Sequence, residues 1–279
     1  MSQCNKLSRR PHRARQLLAG WLAVWLTASA VVPGAADPAA VTGTTGETAV
    51  DSSVDPGNDS REVYSSAAPQ WLRAVGQLRV PGSQYRNGAT EHLQEDCSAT
   101  LVTRLPRRAA DTIITAWHCL ANYRDLSRPI IFTLLPGQPD ALQREAFQLA
   151  DGGGMHADWA ILHLREPVAA TRVAGLLVNP GSADPALPIT MAGYSRDPGK
   201  GNGGTRLSFD PACQVTARGA AASDSNCLAH KGASGGAVVQ LSPAGTPRYS
   251  GVISEGNGAG ISTFVSVDAF RSAINLHLD

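Results

Sequence analysis

The sequence predicts an all-β fold with one C-terminal helix. Three observations carry that reading. Short runs rich in β-branched and aliphatic residues alternate with turn signals over most of the chain. A composition of 28 glycines and 18 prolines in 279 residues, with 43% hydrophobic content, suits a loop-rich globule and argues against a helical bundle or a disordered chain. The hydrophobic period changes only near the end, where Val267, Phe270, Ile274 and Leu278 recur at three- and four-residue spacings.

Taken from the N-terminus, residues 1–36 read as a signal peptide. Lys6, Arg9, Arg10, Arg13 and Arg15 precede an apolar run over 17–32, and the small-residue cleavage patterns Ala28-Ser29-Ala30 and Gly34-Ala35-Ala36 follow. The run is shorter than the ~20 residues a spanning helix needs. No membrane attachment is expected after cleavage, and the product is expected to be secreted or periplasmic. Arg9-Arg10 continues into Pro11-His12, a poor match to a twin-arginine signal. Residues 37–66 are rich in Ala, Gly, Thr, Ser and Asp, and large apolar residues are almost absent. They read as a flexible linker or propeptide, because so little burial cannot offset the entropy of ordering.

One domain is expected over 67–279. Its candidate strands are 74–80, 98–103, 112–116, 130–135, 159–164, 189–192, 237–241, 249–254 and 261–267. Pro81-Gly82, Asn87-Gly88 and Asp151-Gly152 punctuate them as turns. The final amphipathic helix has Ser266 as its expected N-cap. No repeat of 20 to 50 residues is visible.

Net charge is +1, so nucleic acid is not expected as a partner. Five of the 24 basic residues lie before Gln16, which leaves the mature chain mildly acidic. No metal is expected. His-Glu-x-x-His is absent, and His156 and His163 lack the spacing of a zinc pair. Of the five cysteines, Cys4 would leave with the leader. Cys97, Cys119, Cys213 and Cys227 then allow three disulfide pairings, and export to an oxidising compartment favours bridges over free thiols.

Three segments carry chemistry: Thr115-Ala116-Trp117-His118-Cys119, Asp158-Trp159-Ala160-Ile161-Leu162 and Gly232-Ala233-Ser234-Gly235-Gly236. A serine hydroxyl is a weak nucleophile at neutral pH and needs an adjacent base. The base needs a fixed acceptor on its other ring nitrogen. His118, Asp158 and Ser234 supply base, orienter and nucleophile. The glycines around Ser234 allow a sharp turn and close approach of a substrate. Loss of activity is expected below about pH 6.5, where an ordinary imidazole protonates.

On these segments and their order, the chain resembles the trypsin/chymotrypsin-like serine peptidases, most closely their small secreted bacterial members. The resemblance implies two six-stranded antiparallel β-barrels with a C-terminal helix, and hydrolysis of peptide bonds through an acyl-enzyme. It pairs Cys97 with Cys119 and Cys213 with Cys227. It makes the backbone N–H groups of Gly232 and Ser234 the oxyanion hole, and places Leu228, Ser254 and Gly256 around the primary substrate pocket. No cofactor is implied. The partner is a protein or peptide substrate, and the chain is expected to be a monomer.

One departure stands out. The family usually has Asp immediately before the nucleophile, paired with a new N-terminal amine after activation cleavage. Here that position is Ala233, and no Ile-Val-Gly-Gly start occurs near Trp71. The oxyanion loop is therefore expected to form without that ion pair. Leu228 at the pocket floor cannot pair a buried cation, which disfavours a trypsin-like preference unless Asp224 or Glu255 supplies charge. His230 would favour an acidic side chain. Two rival readings are an α/β-hydrolase esterase, from Gly232-x-Ser234-x-Gly236, and a peptidase-like binding protein without catalysis. The first needs an order of Ser, acid and His that the chain does not have. The second lacks the missing triad residue that it normally shows.

Overall fold

The computed structural model describes residues 59–278, so the expected signal peptide and most of the expected linker lie outside the described residues. The fold begins earlier than expected. Within the stretch read as linker, β1 (Glu62–Val63) forms, and Arg61 is buried.

Six strands close a barrel. They are β2 (Val75–Arg86), β3 (Ala89–Thr103), β4 (Ala110–Thr115), β5 (Ile130–Leu134), β6 (Leu142–Asp151) and β7 (Ala160–Val168). Antiparallel pairing runs β2–β5–β6–β7–β4–β3 and back to β2. In β5, Ile130, Phe132 and Leu134 are fully buried and alternate with half-exposed Ile131 and Thr133, the period of two that a barrel wall requires. Asn87 and Gly88 both have positive φ and make the tight turn between β2 and β3, with Arg86 opposite Ala89. Pro81-Gly82 does not break the chain as expected. β2 passes straight through it, with Pro81 opposite Gln94.

The remaining strands are β8 (Leu176–Val178), β9 (Ile189–Gly193), β10 (Ser208–Cys213), β11 (Val215–Arg218), β12 (Ser223–Ser225), β13 (Ala237–Leu241), β14 (Pro247–Gly256) and β15 (Ser262–Ser266). Short β8 pairs in parallel with both β3 and β14 and joins the two halves. The second half runs β10–β9–β13–β14–β15–β12–β11. β1 pairs with β10 at the start of this order, and β10 and β11 do not pair with each other among the described residues. The expected closed second barrel is therefore not clearly formed; a disulfide, Cys213–Cys227, spans from the end of β10 to the chain just after β12.

β13 separates two cores. Ala237 and Val239 face the apolar cluster shared with the barrel, and Val238 faces a second cluster with Met191, Ile253 and Phe264. The chain ends in a 3-10 turn (Val267–Phe270) and α1 (Arg271–His277). Val267, Phe270, Ile274 and Leu278 are all buried, as their spacing predicts. Phe270 stacks on Trp159 at 5.0 Å, beside Asp158. Ser266 stands at the start of the turn but does not cap it through its side chain. Among the described residues, no helix is long and apolar enough to cross a membrane.

Replacing Cys213 and Cys227 together by Ala is expected to lower stability by about 3 kcal/mol, the loop-closure contribution of a bridge of this span. Urea unfolding of the oxidised and double-variant proteins measures it.

Candidate active site

Both halves contribute residues to one cleft. His118 sits in a 3-10 turn (Trp117–Leu120) that follows β4. The Cys97–Cys119 disulfide ties that turn to β3, and both expected cysteine pairings are present. Asp158 stands at the end of the β6–β7 connection, just before β7. That connection is cramped, since any side chain on Gly152 would collide with the Ala157 carbonyl.

Asp158 is 1% exposed and its carboxylate accepts three hydrogen bonds. His118 Nδ1 lies 2.8 Å from Oδ2, the His118 backbone N–H donates to Oδ1 at 2.9 Å, and the Ser254 hydroxyl donates to Oδ2 at 2.5 Å. Burial works against ionisation of Asp158. The His118 ring and amide, with the Ser254 hydroxyl, outweigh it and hold the carboxyl below its ordinary range. Burial likewise opposes protonation of His118, but the Asp158 carboxylate overrides it and raises the imidazole above its ordinary value. Ser254 was expected only as pocket wall. Its hydroxyl is a second side-chain anchor for Asp158, which no local sequence signal announces.

Ser234 opens into the same cavity as His118, with Met155, His230, Lys231 and Glu255 around it. The volume of about 340 Å³ lies in the range of ligand clefts. The Ser234 hydroxyl donates to the Ser254 carbonyl at 3.2 Å and makes no direct hydrogen bond to His118. The structure thus joins His118 to Asp158 directly and brings Ser234 to the same cleft. A larger cavity lined by Trp71, Arg73, Arg107 and Arg172 contains no paired nucleophile and base.

The loop that carries Ser234 is held by backbone bonds. The Ser98 N–H donates to the Ser234 carbonyl, and the Ser98 hydroxyl donates to the Gly232 carbonyl, each at 2.8 Å. The Tyr194 N–H donates to that same hydroxyl at 2.8 Å. The Arg196 N–H donates to the Lys231 carbonyl at 2.6 Å, and the Gly236 N–H to the Ala233 carbonyl at 2.8 Å. A trans peptide points its C=O and N–H in opposite directions. The bonds on Lys231 and Ala233 therefore turn the Gly232 and Ser234 N–H groups away from Arg196 and Gly236. Neither N–H has an acceptor among the described residues. Glycine is required here: Gly232 has φ +96°, and a side chain on Gly235 would collide with the Ser98 carbonyl and Thr115 hydroxyl.

The expected pocket residues divide. Ser254 and Gly256 line the cavity, whereas Leu228 does not. Leu228 is buried behind it, with its N–H donating to Asp210 Oδ2 at 2.8 Å. A side chain on Gly256 would collide with the Ala229 carbonyl. Asp224 bonds to Thr263 away from the cleft, while Glu255 is at the rim. Burial, then Arg61, lowers the His230 pKa below its ordinary value. Its buried Nε2 has no partner. His230 lines the cavity beside Lys231 and Ser254.

Ser98→Ala leaves the Gly232 carbonyl and the Tyr194 N–H without a partner in a fully buried place. A loss of about 1–3 kcal/mol is expected, read from urea unfolding.

No protein-family model and no curated protein sequence matches the chain. Solved structures do match. A thermostable serine protease, AL20, from an extremophilic microorganism superimposes with a TM-score of 0.57 at 15% identity, over 75% of this chain and 98% of its own. The protease Anisep from Arthrobacter nicotinovorans gives 0.56 at 19% identity, over 75% and 97%. Such identities speak for architecture, and with the closed barrel, the bridging β8 and the C-terminal helix they show that this chain has the chymotrypsin/trypsin-like serine protease fold.

Proposed function

We propose that the chain is a serine endopeptidase that hydrolyses peptide bonds through His118, Asp158 and Ser234. The observation that carries this is the buried Asp158 carboxylate, fixed by three donors, orienting His118 in the cleft that Ser234 enters. His118 Nδ1–H on Asp158 leaves Nε2 as the base. Rotation of the Ser234 side chain from the Ser254 carbonyl to Nε2 completes the relay. Catalytic hydrogen bonds are often long before substrate arrives and shorten in the complex.

Ser234 Oγ attacks the carbonyl carbon of the scissile peptide while His118 takes its proton. The tetrahedral oxyanion is received by the Gly232 and Ser234 N–H groups, donors of a kind worth roughly 3 kcal/mol each to the transition state. Protonated His118 gives its proton to the leaving amine, and an acyl-enzyme remains. Water, activated by His118, releases the acid.

The Lys231 and Ala233 carbonyl bonds support an oxyanion loop formed without the Asp–amine pair of the resembled family. His230, with its unpartnered Nε2, and the rim residues Lys231 and Glu255 support a primary pocket that selects by polar contacts and shape. Two disulfides and the leader support export, and the same reading takes the chain as a monomer acting on proteins or peptides. The second half supports a barrel whose last gap is closed by Cys213–Cys227.

A fluorophosphonate is expected to label the full chain at Ser234 and to leave Ser234→Ala unlabelled. A binding protein would show no labelling at all. Ser234→Ala and His118→Ala are each expected to lower kcat on the order of 10⁶-fold.

On the pH axis, protonated His118 is inactive and its pKa is raised above 6.5. The acid limb of kcat/KM is therefore expected to fall through a midpoint above 6.5, and Asp158→Asn to move that midpoint down. A rate that stays flat to pH 4 contradicts the assignment of His118.

A further inference from the structure

We propose that Arg61 is a positioning residue for the oxyanion loop, acting from the segment before the barrel through Asp197 and the Arg196 N–H. The proposal rests on the peptidase reading for its functional half and on hydrogen-bond geometry for its structural half.

Arg61 is the one buried basic side chain among the described residues. Its guanidinium is forked on two edges. Nε and Nη2 bond Asp59 at 3.0 and 2.7 Å, and Nη1 and Nη2 bond Asp197 at 2.8 and 3.0 Å. Bidentate forks of this kind fix orientation as well as charge. Lys200 Nζ donates to the Asp59 and Arg61 carbonyls and closes the cluster from the other side. Arg61 and the half-exposed Lys200 together balance the charge of Asp59 and Asp197.

Asp197 belongs to a tight loop over 194–206. Its carbonyl accepts the Gly203 N–H at 3.0 Å, and a side chain on Gly201 would collide with the Ser195 carbonyl. The residue just before Asp197 is the one that bonds the oxyanion loop, Arg196 N–H to Lys231 carbonyl at 2.6 Å. Two residues earlier still, the Tyr194 N–H holds the Ser98 hydroxyl that bonds the Gly232 carbonyl. Both carbonyls that flank the Gly232 N–H are thus gripped from this loop, one directly and one through Ser98.

Removing the guanidinium leaves Asp59 and Asp197 facing each other, each side chain only about a tenth exposed. Like charges in so little water repel. The loop then moves, the Lys231 carbonyl is released, and the peptide before Gly232 is free to turn its N–H out of the cleft. Ala233 has no charge with which to hold it. In the resembled family a cation reaches this region as a terminal amine made by cleavage. Here the cation is a side chain within the chain, already in place.

The test uses the full chain with Arg61→Gln, Arg61→Lys and, as a control, Arg73→Gln, which breaks the Arg73–Asp140 surface pair. Two quantities are read: the fluorophosphonate labelling rate against reagent concentration, and amide hydrogen exchange by peptide. Arg61→Gln is expected to lower the limiting labelling rate at least tenfold, with the half-saturating concentration within twofold of wild type. Exchange over 194–206 and 231–236 is expected to rise at least tenfold, with the barrel strands β2 to β7 unchanged. Arg61→Lys is expected to recover part of the rate, and Arg73→Gln to match wild type.

Wild-type labelling and exchange in Arg61→Gln overturn the proposal, as does exchange that rises equally in the barrel. If Arg61→Gln does not fold, Arg61→Met with Asp197→Asn removes the unpaired charge. That pair is expected to fold and still label at least tenfold more slowly, and wild-type labelling by it overturns the proposal. If wild type itself does not label, the peptidase reading fails. The exchange comparison then still decides whether Arg61 holds the loop.

Discussion

Ser98 is the residue on which the cleft depends. It is fully buried, and its N–H, hydroxyl and carbonyl are all engaged. The N–H and hydroxyl hold the Ser234 and Gly232 carbonyls, the hydroxyl accepts the Tyr194 N–H, and the carbonyl accepts the Thr115 hydroxyl at 2.8 Å. Its neighbour Cys97 is bonded to Cys119, next to His118. One dipeptide of β3 therefore sets the distance between the histidine turn of the barrel and the serine loop of the second half. The barrel supplies the rigidity. Ser98 lies in a strand paired along its length with β2, so neither partner can drift without breaking a ladder.

Asp158 makes the second joint. A carboxylate at 1% exposure is costly unless its lone pairs are met. The donors come from both halves: ring and amide from the histidine turn, hydroxyl from β14. The C-terminal helix contributes at one remove. Phe270 stacks on Trp159 and shields the ion pair's neighbourhood, while Arg104 of the barrel bonds the Ile274 and Asn275 carbonyls near the helix end. Packing and site are one arrangement, since the apolar faces that dock the halves also exclude water from Asp158.

What was legible in the sequence follows from where the information resides. β5 and β13 were readable because burial writes an apolar pattern on a strand. β6 was not, since Ala146 is its one buried residue while Phe147 and Leu149 are exposed, so no apolar alternation marks the strand. β10 carries Pro211 and a buried Asp210, and so reads as a turn. The three reactive segments were readable because each is a local string with a local reason: glycines for a turn, an acid before a strand, a histidine after one. Ser98, the Ser254 hydroxyl and Arg61 were invisible because each acts on a partner far away in the chain. Arg61 was further hidden by its polar surroundings, where burial comes from ion pairing and leaves no hydrophobic period. Counting residues back from Ser234 put Leu228 on the cavity floor. Counting could not foresee that His230 would line the cavity in its place.

The same network bears on how the proposed enzyme responds to pH. A loop ordered by a terminal amine loses its anchor when that amine deprotonates near pH 8. An arginine does not lose its proton in that range. Burial opposes the ionisation of Asp59 and Asp197, but their bonds to Arg61 keep both carboxyls below the ordinary carboxylate range, so the cluster stays charged and paired across neutral pH. The remaining supports of the loop are backbone N–H and C=O groups and the Ser98 hydroxyl, none of which titrates there. Burial and Arg61 lower the His230 pKa, whereas Asp158 raises that of His118, the cleft group on whose charge the proposed chemistry turns. The geometry of the oxyanion loop is thereby separated from the protonation of the base: the first is held by a permanent cation, and the second is free to follow the reaction.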